Sequence, residues 1–166
     1  MPETGLSPLE RDLVEEFGSI YETYGFKRVN GLIVGLLMTR SEPLPLDDMA
    51  ELLRRSKGPL SVAVRDLAAK GVIRKVEGPE NRRDYYTTHP DLFHNNFKFN
   101  MTTVRKNRRT AEQFLREMRA TDAERHAVAT SHLEHMLAFY SLMESFYEEF
   151  STRWEQVRTS LDAPDA

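Results

Sequence analysis

No cysteine occurs in the 166 residues, so disulfides, thiolate nucleophiles and cysteine-ligated zinc are excluded. No apolar run approaches the roughly 18 residues that a membrane span needs. The opening Met-Pro-Glu-Thr-Gly also lacks the basic and apolar segments of a secretory signal, so a cytoplasmic protein with no membrane partner is expected. The common catalytic signatures are missing too: there is no Gly-rich phosphate loop, no His-Glu-x-x-His and no Gly-x-Ser-x-Gly. Glu15/Glu16 and Asp47/Asp48 are adjacent carboxylates, which a helix points in different directions, so they make no acid/base pair. His132 and His135 lie three apart near His126, but no third ligand stands at metal spacing, and they read as helix-surface or interface histidines. The expectation is a protein that is not an enzyme and holds neither cofactor nor metal.

A net positive charge is also lacking. The formal balance is −3, yet it is unevenly spread. Residues 1–53 carry 4 basic and 10 acidic side chains, and residues 122–166 carry 3 and 9. Residues 54–83 carry 9 basic and 3 acidic, and residues 84–121 carry 7 and 4. Cationic side chains concentrated in the middle would attract phosphate, while acidic ends oppose non-specific sticking. Hydrophobic residues at 40% and charged residues at 30% fit a soluble, helix-rich chain rather than a disordered one.

Helical spacing dominates what is present. Residues 1–6 read as a loose start. Ser7-Pro8-Leu9-Glu10 then has the form of a capping box with proline in the first turn. Leu9, Leu13, Val14, Phe17, Ile20, Tyr21 and Tyr24 follow on a wide apolar face that stops at Gly25. This face exceeds what a small domain must cover, so part of it is available to a partner chain. Val29 to Thr39 reads as a buried helix in which Gly31 and Gly35 permit close approach of another helix. A proline-rich connector follows, with Leu44 and Leu46 placed to add a short strand to a sheet.

From Leu46 to Thr88 the pattern is helix, turn, helix and basic-tipped hairpin. A short helix from Asp47 carries Met49, Leu52 and Leu53. A second opens at Ser56-Lys57-Gly58-Pro59-Leu60-Ser61 and stops at Gly71. Leu60, Val64 and Leu67 should face the core, and Lys57, Ser61, Val62, Arg65 and Ala69 should face outward. Two strand-like runs, Val72 to Val76 and Asp84 to Thr88, flank a tip containing Gly78-Pro79, Arg82 and Arg83. This is the order of a winged helix-turn-helix, whose second helix enters a major groove and whose wing lies along the adjacent backbone. Ser56, Lys57, Gly58, Ser61, Val62, Arg65, Arg82 and Arg83 are the candidate contacts to double-stranded DNA. The fold class expected is mainly α with a small β wing, followed by long C-terminal dimerisation helices.

Asp47 to Tyr86, with Ser-Lys-Gly at the helix opening, Arg-Asp-Leu within it, Lys-Gly-Val-Ile-Arg-Lys-Val entering the first strand and Asn-Arg-Arg-Asp-Tyr-Tyr in the wing, resembles the GbsR-type branch of the MarR-like transcriptional regulators. The likeness covers roughly residues 7–158. It implies a homodimeric winged-helix repressor on a palindromic operator. Members of that branch typically have a small polar residue after Ser-Lys-Gly. Here Pro59 and Leu60 precede Ser61, a departure that bears on the base contacts and not on the fold.

Beyond His89-Pro90-Asp91 a long helix is expected, with Phe97, Met101, Val104, Arg108, Ala111, Leu115 and Met118 along one seam. Its polar side (Lys98, Arg105, Lys106, Arg109, Arg116) either flanks DNA or meets the acidic C-terminal helix. Thr121-Asp122-Ala123-Glu124 reads as a capping box that opens this last helix. Leu133, Met136, Tyr140, Met143, Tyr147, Phe150 and Trp154 form one apolar row there, and Phe139, Leu142 and Phe146 form a second beside it. Two rows on a helix of about 54 Å predict that one packs inside the chain and the other on a second subunit. The first row is assigned to dimerisation. Phe17, Tyr21, Tyr24 and Phe139 are candidates for a small-molecule effector pocket, and an aromatic cage would suit the quaternary ammonium compounds that some GbsR-type regulators resemble sensors for. The boundaries expected are 7–90 for the DNA-binding domain, 91–158 for the dimerisation region and 159–166 for a flexible tail. The rival expectation is a winged-helix protein-interaction scaffold without specific DNA binding.

Overall fold

The computed structural model describes residues 5–80 and 82–162. The first residues of the expected loose start, Asn81 of the wing tip and the tail from residue 163 lie outside the described residues. The chain forms two compact units, Met1–Asn96 and Phe97–Ala166.

The first unit opens with α1 (Pro8–Thr23), entered through a complete capping box. The Ser7 N–H donates to Glu10 Oε2 at 2.7 Å and the Glu10 N–H donates to Ser7 Oγ at 3.3 Å, so two amides without helical partners satisfy each other's side chains. Helix α2 (Arg28–Met38) is buried from Asn30 to Leu37. It supplies the centre of the core: Ile33, Leu36 and Leu37 pack with Met49, Leu60, Leu67 and Ile73. Burying such side chains contributes about 1.5–3 kcal/mol each. Strand β1 (Leu44–Pro45) leads into α3 (Leu46–Leu53), and α4 (Lys57–Ala69) follows a turn in which Arg54 takes a left-handed φ of 51°. Gly71, at φ 67°, then releases the chain from α4 into the sheet, a conformation that costs glycine nothing.

Strands β2 (Ile73–Val76) and β3 (Tyr85–Thr88) form the wing hairpin, with Ile73 opposite Thr88 and Val76 opposite Tyr85. β1 adds antiparallel to the other side of β3, pairing Leu44 with Tyr86 and Pro45 with Tyr85. The sheet order is therefore β1-β3-β2, with the proline confined to an edge strand where its missing donor is tolerated. Helix, turn, helix and three-stranded wing make a winged helix-turn-helix. Its far end is tied down by two side chains and a backbone hydrogen bond. Asn95 Nδ2 donates to the Gly71 carbonyl at 2.8 Å, the His89 amide donates to the Val72 carbonyl at 2.9 Å, and His89 Nδ1 accepts from the Asp91 amide at 3.0 Å.

Helix α5 (Leu92–Thr121) begins in the first unit and continues into the second, where α6 (Ala127–Leu161) runs beside it. Within that unit Met101, Val104 and Tyr147 are buried together, and the Phe97 ring lies 5.1 Å from Tyr147 and 5.0 Å from Phe150. Arg105 and Arg108 both hold Glu144, with Nε to carboxylate distances of 3.0 and 2.7 Å, and Arg119 pairs with Glu134. Part of the basic side of α5 thus meets the acidic last helix.

Two expectations are corrected. The capping box at Thr121-Asp122-Ala123-Glu124 does not form, and α6 starts at Ala127 with His126 as its N-cap. Thr121 is still the last residue of α5, and its hydroxyl donates back to the Glu117 carbonyl at 3.0 Å, so it cannot cap the next helix. Asp122 Oδ1 instead accepts the Arg125 amide at 3.0 Å and shapes a turn. At the other end, α6 continues to Leu161, three residues into the expected tail. No proline or glycine interrupts it there, and Arg158 reaches Asp162 one turn on.

Candidate nucleic-acid interface

Helix α4 is anchored from below by Leu60, Ala63, Val64 and Leu67, all buried. That anchoring turns Lys57, Gly58, Val62, Arg65 and Ala69 outward, as the spacing predicts, with Ser61 half-buried at their edge. Ser56 stands at the N-cap, but its side chain makes no capping hydrogen bond. Pro59 removes one of the two possible donors. It occupies the third helical position, whose amide is a usual donor to an N-cap oxygen, and proline has none.

Between α4 and the wing lies a cleft of about 490 Å³ lined by Ser61, Val64 and Arg65 of α4, Arg82, Arg83 and Asp84 of the wing, Tyr86 of β3, and Pro45, Leu46 and Asp47. Four of the candidate contacts, Ser61, Arg65, Arg82 and Arg83, therefore border one concave surface although they are 22 positions apart in the chain. Gly58 and Val62 do not border it. They sit on the other flank of α4, beside a second cleft formed with Phe26 and Lys27.

Charges on this surface are partly internally balanced. Lys57 Nζ meets Asp47 Oδ1 at 2.7 Å, Lys75 Nζ meets Asp84 Oδ1 at 2.6 Å, and Arg83 Nε meets Glu80 Oε2 at 3.3 Å. The Lys57 hydrogen bond holds the Asp47 carboxyl below its usual range. All these side chains are about half exposed or more, and surface pairs of this kind add little stability, so each cation can exchange its carboxylate for a phosphate. Arg65 Nε donates to the Ser61 carbonyl at 3.3 Å and makes no ion pair among the described residues. Arg82 likewise has no ion-pair partner there. Tyr86, half-buried between the two arginine groups, has its phenol pushed up by burial and by Asp84.

Alternation along the strand puts Tyr86 opposite buried Tyr85, but nothing local marks it as part of the cleft. Asp47 has a readable signal, a carboxylate in the first turn of one helix and a lysine in the first turn of the next. Its contact with Lys57 depends on how the two helices cross.

No family model matches the chain. Over 84 residues, 51% of this chain, it is 25% identical to the HTH-type transcriptional repressor OpcR of Bacillus subtilis (strain 168). The match spans 45% of that curated relative, less than half its length. A crystal structure described as a transcriptional regulator superposes with a TM-score of 0.74 at 23% identity, covering 90% of this chain and 99% of that one. A mutant of S. aureus MepR bound to an oligodeoxyribonucleotide gives 0.41 at 18% identity, over 78% of this chain and 91% of that one. The fold is shared.

The remaining candidate residues lie as follows. On α6, Tyr147 is buried, and Tyr140 packs beside it against α5. Leu133, Met136 and Trp154 are half-buried, while Met143 and Phe150 are 37% and 49% exposed. The neighbouring row is more open: Phe139 is 58%, Leu142 57% and Phe146 62% exposed. Of the aromatic residues named for an effector pocket, Tyr21 is in the core with its ring 5.7 Å from Phe26, and burial lifts its phenol to about 12. Phe17 packs against the same core, whereas Tyr24 and Phe139 are largely exposed. His132 and His135 are exposed on α6. Among the described residues no helix is long and apolar enough to cross a membrane.

Proposed function

We propose that this chain is a double-stranded DNA-binding transcriptional regulator of the GbsR-type branch of MarR-like proteins, acting as a homodimeric repressor on a palindromic operator. The observation that carries this reading is the single surface on which α4 and the wing bring Ser61, Arg65, Arg82 and Arg83 together. Arg65 reaches base edges in the major groove, and Arg82 and Arg83 lie along the flanking backbone or minor groove. The stretch of likeness to a protein named as a repressor supports the direction of regulation. Selection of bound duplexes from a random pool, followed by a salt titration, tests it. Log affinity should fall linearly with log salt, with a slope of about 0.9 for each neutralised phosphate. A chain that binds no duplex saturably would be a protein-interaction scaffold instead.

Dimerisation is proposed through α6, on a face turned slightly from the row first assigned to it. Tyr147, Tyr140 and Phe150 already have partners within the chain, so the open face is Phe139, Leu142, Met143 and Phe146. An apolar strip this long is more than a soluble monomer normally exposes. Sedimentation at micromolar concentration should give twice 19.2 kDa, and Phe146→Glu should reduce it to 19.2 kDa without lowering the helix content. A 19.2 kDa unaltered protein would overturn the dimer. Two readers held about 34 Å apart would address successive major grooves. A small-molecule effector at Phe17, Tyr21 and Tyr24 would act by favouring one separation over another, which requires different affinity for the two states. Thermal melting against a broad metabolite panel tests for it, and a flat response would reassign these rings to packing.

A further inference from the structure

The second cleft beside α4 has a volume of about 670 Å³ and lies on the flank of the helix away from the wing. It is lined by Gly25, Phe26 and Lys27 of the α1–α2 connection, Val29 and Asn30 of α2, and Gly58, Pro59, Val62, Ala63 and Asp66 of α4. At 100° per residue, Gly58, Val62, Arg65 and Ala69 fall within about 60° of one another and make a ridge between the two clefts. All four are exposed.

An α-helix with its side chains is about 10–12 Å across, and the major groove of B-DNA is about 12 Å wide. A helix that enters the groove along this ridge fills it, so one phosphate strand must pass on each side. The wing with Arg82 and Arg83 occupies one side. Resting on the proposed DNA-binding reading, we infer that the second cleft seats the opposite phosphate strand, with Lys27 as its cation.

Three features of the cleft suit that occupant. Lys27 is exposed at the mouth, has no ion pair among the described residues, and is the one basic side chain in the lining. The acidic residue that lines it, Asp66, is neutralised: Lys70 Nζ donates to Oδ2 at 2.7 Å, and the buried Asn30 Nδ2 donates to the same oxygen at 3.0 Å. Phe26, Val29, Pro59 and Val62 give an apolar floor against which deoxyribose can rest. The mid-chain basic block does not include Lys27, which comes from the acidic first third of the sequence, so charge counting alone overlooks it.

The test is a salt titration of duplex binding by Lys27→Gln and Lys27→Glu, on both a selected and a random-sequence duplex. Lys27→Gln should weaken both duplexes several-fold and about equally, and should lower the log–log salt slope by about 0.9, one phosphate's share. Lys27→Glu should weaken both further. Because Lys27 is exposed, the melting temperature of each variant should match that of the unaltered protein. Unchanged affinity and slope in Lys27→Gln, with normal binding by the unaltered protein, would overturn the second strand site and leave the proposed function standing. No saturable binding by the unaltered protein would overturn both.

Discussion

Replacing Gly31 by alanine is expected to cost about 3 kcal/mol of folding stability, the upper end of what over-packing usually costs. A methyl group built there would stand 2.1 Å from the Phe17 carbonyl oxygen, 2.6 Å from its carbon and 2.8 Å from Gly18 Cα. All three are backbone atoms of α1, so no side chain can swing aside. The next turn repeats the contact, since a methyl on Gly35 would meet Val14 Cα at 2.9 Å. Admitting the group means parting α1 from α2 and loosening Val14, Tyr21, Leu32 and Ile33, which are buried in the same core. Against this, alanine gains about 1 kcal/mol of helix propensity over glycine, so the steric term must exceed the observed loss. Thermal or denaturant unfolding should show a midpoint about 6–12 °C lower in a chain of this size. Gly18→Ala is the internal comparison. Its methyl would meet Leu32 Cδ2 and Arg28 Cγ, both on flexible side chains, and it should cost much less. Equal melting of all three proteins would mean that the two helices are not in backbone contact.

The second large effect is on recognition. Arg65→Ala should weaken binding to a selected duplex by about 1–3 kcal/mol, or roughly 5- to 150-fold, if the guanidinium makes a bidentate contact to a base. Binding to random duplex should change far less. Arg65 is suited to this because its one hydrogen bond among the described residues, to the Ser61 carbonyl, is long at 3.3 Å and engages only Nε. Its exposed position on the ridge of α4 also means that the truncation leaves no cavity, so the variant should melt like the parent. Arg82→Ala is the contrast, with losses of similar size on every sequence and a shallower salt slope. Equal losses on selected and random duplex for Arg65→Ala would move that residue from the bases to the phosphates.

Local chemistry explains which parts of this molecule could be foreseen. Ser7, Pro8 and Glu10 announce a helix start because the capping groups are all within four residues. Leu60, Val64 and Leu67 sort the faces of α4 because a 3.6-residue period is set by the backbone alone. The same logic misleads at Thr121, where a correct signature is spent on finishing the preceding helix. On α6 it finds two apolar rows but cannot rank them, since Tyr147 is inside only because Met101 and Val104 of α5 lie against it. The candidate interface divides in the same way. Arg65, Arg82 and Arg83 stand out by charge and position in a short pattern. Lys27 gains its place beside Gly58 through packing of α2 on α4, across some 30 residues of chain.

The cross-ties at the end of the reader have a mechanical corollary. With Asn95 in the first turn of α5 clasping the Gly71 carbonyl and the His89 amide clasping that of Val72, the exit from α4 is pinned to the approach and first turn of α5. The corner between α4 and β2 is therefore held to the base of α5 within one compact unit, and losing the Asn95 clasp would leave the Gly71 carbonyl without that donor.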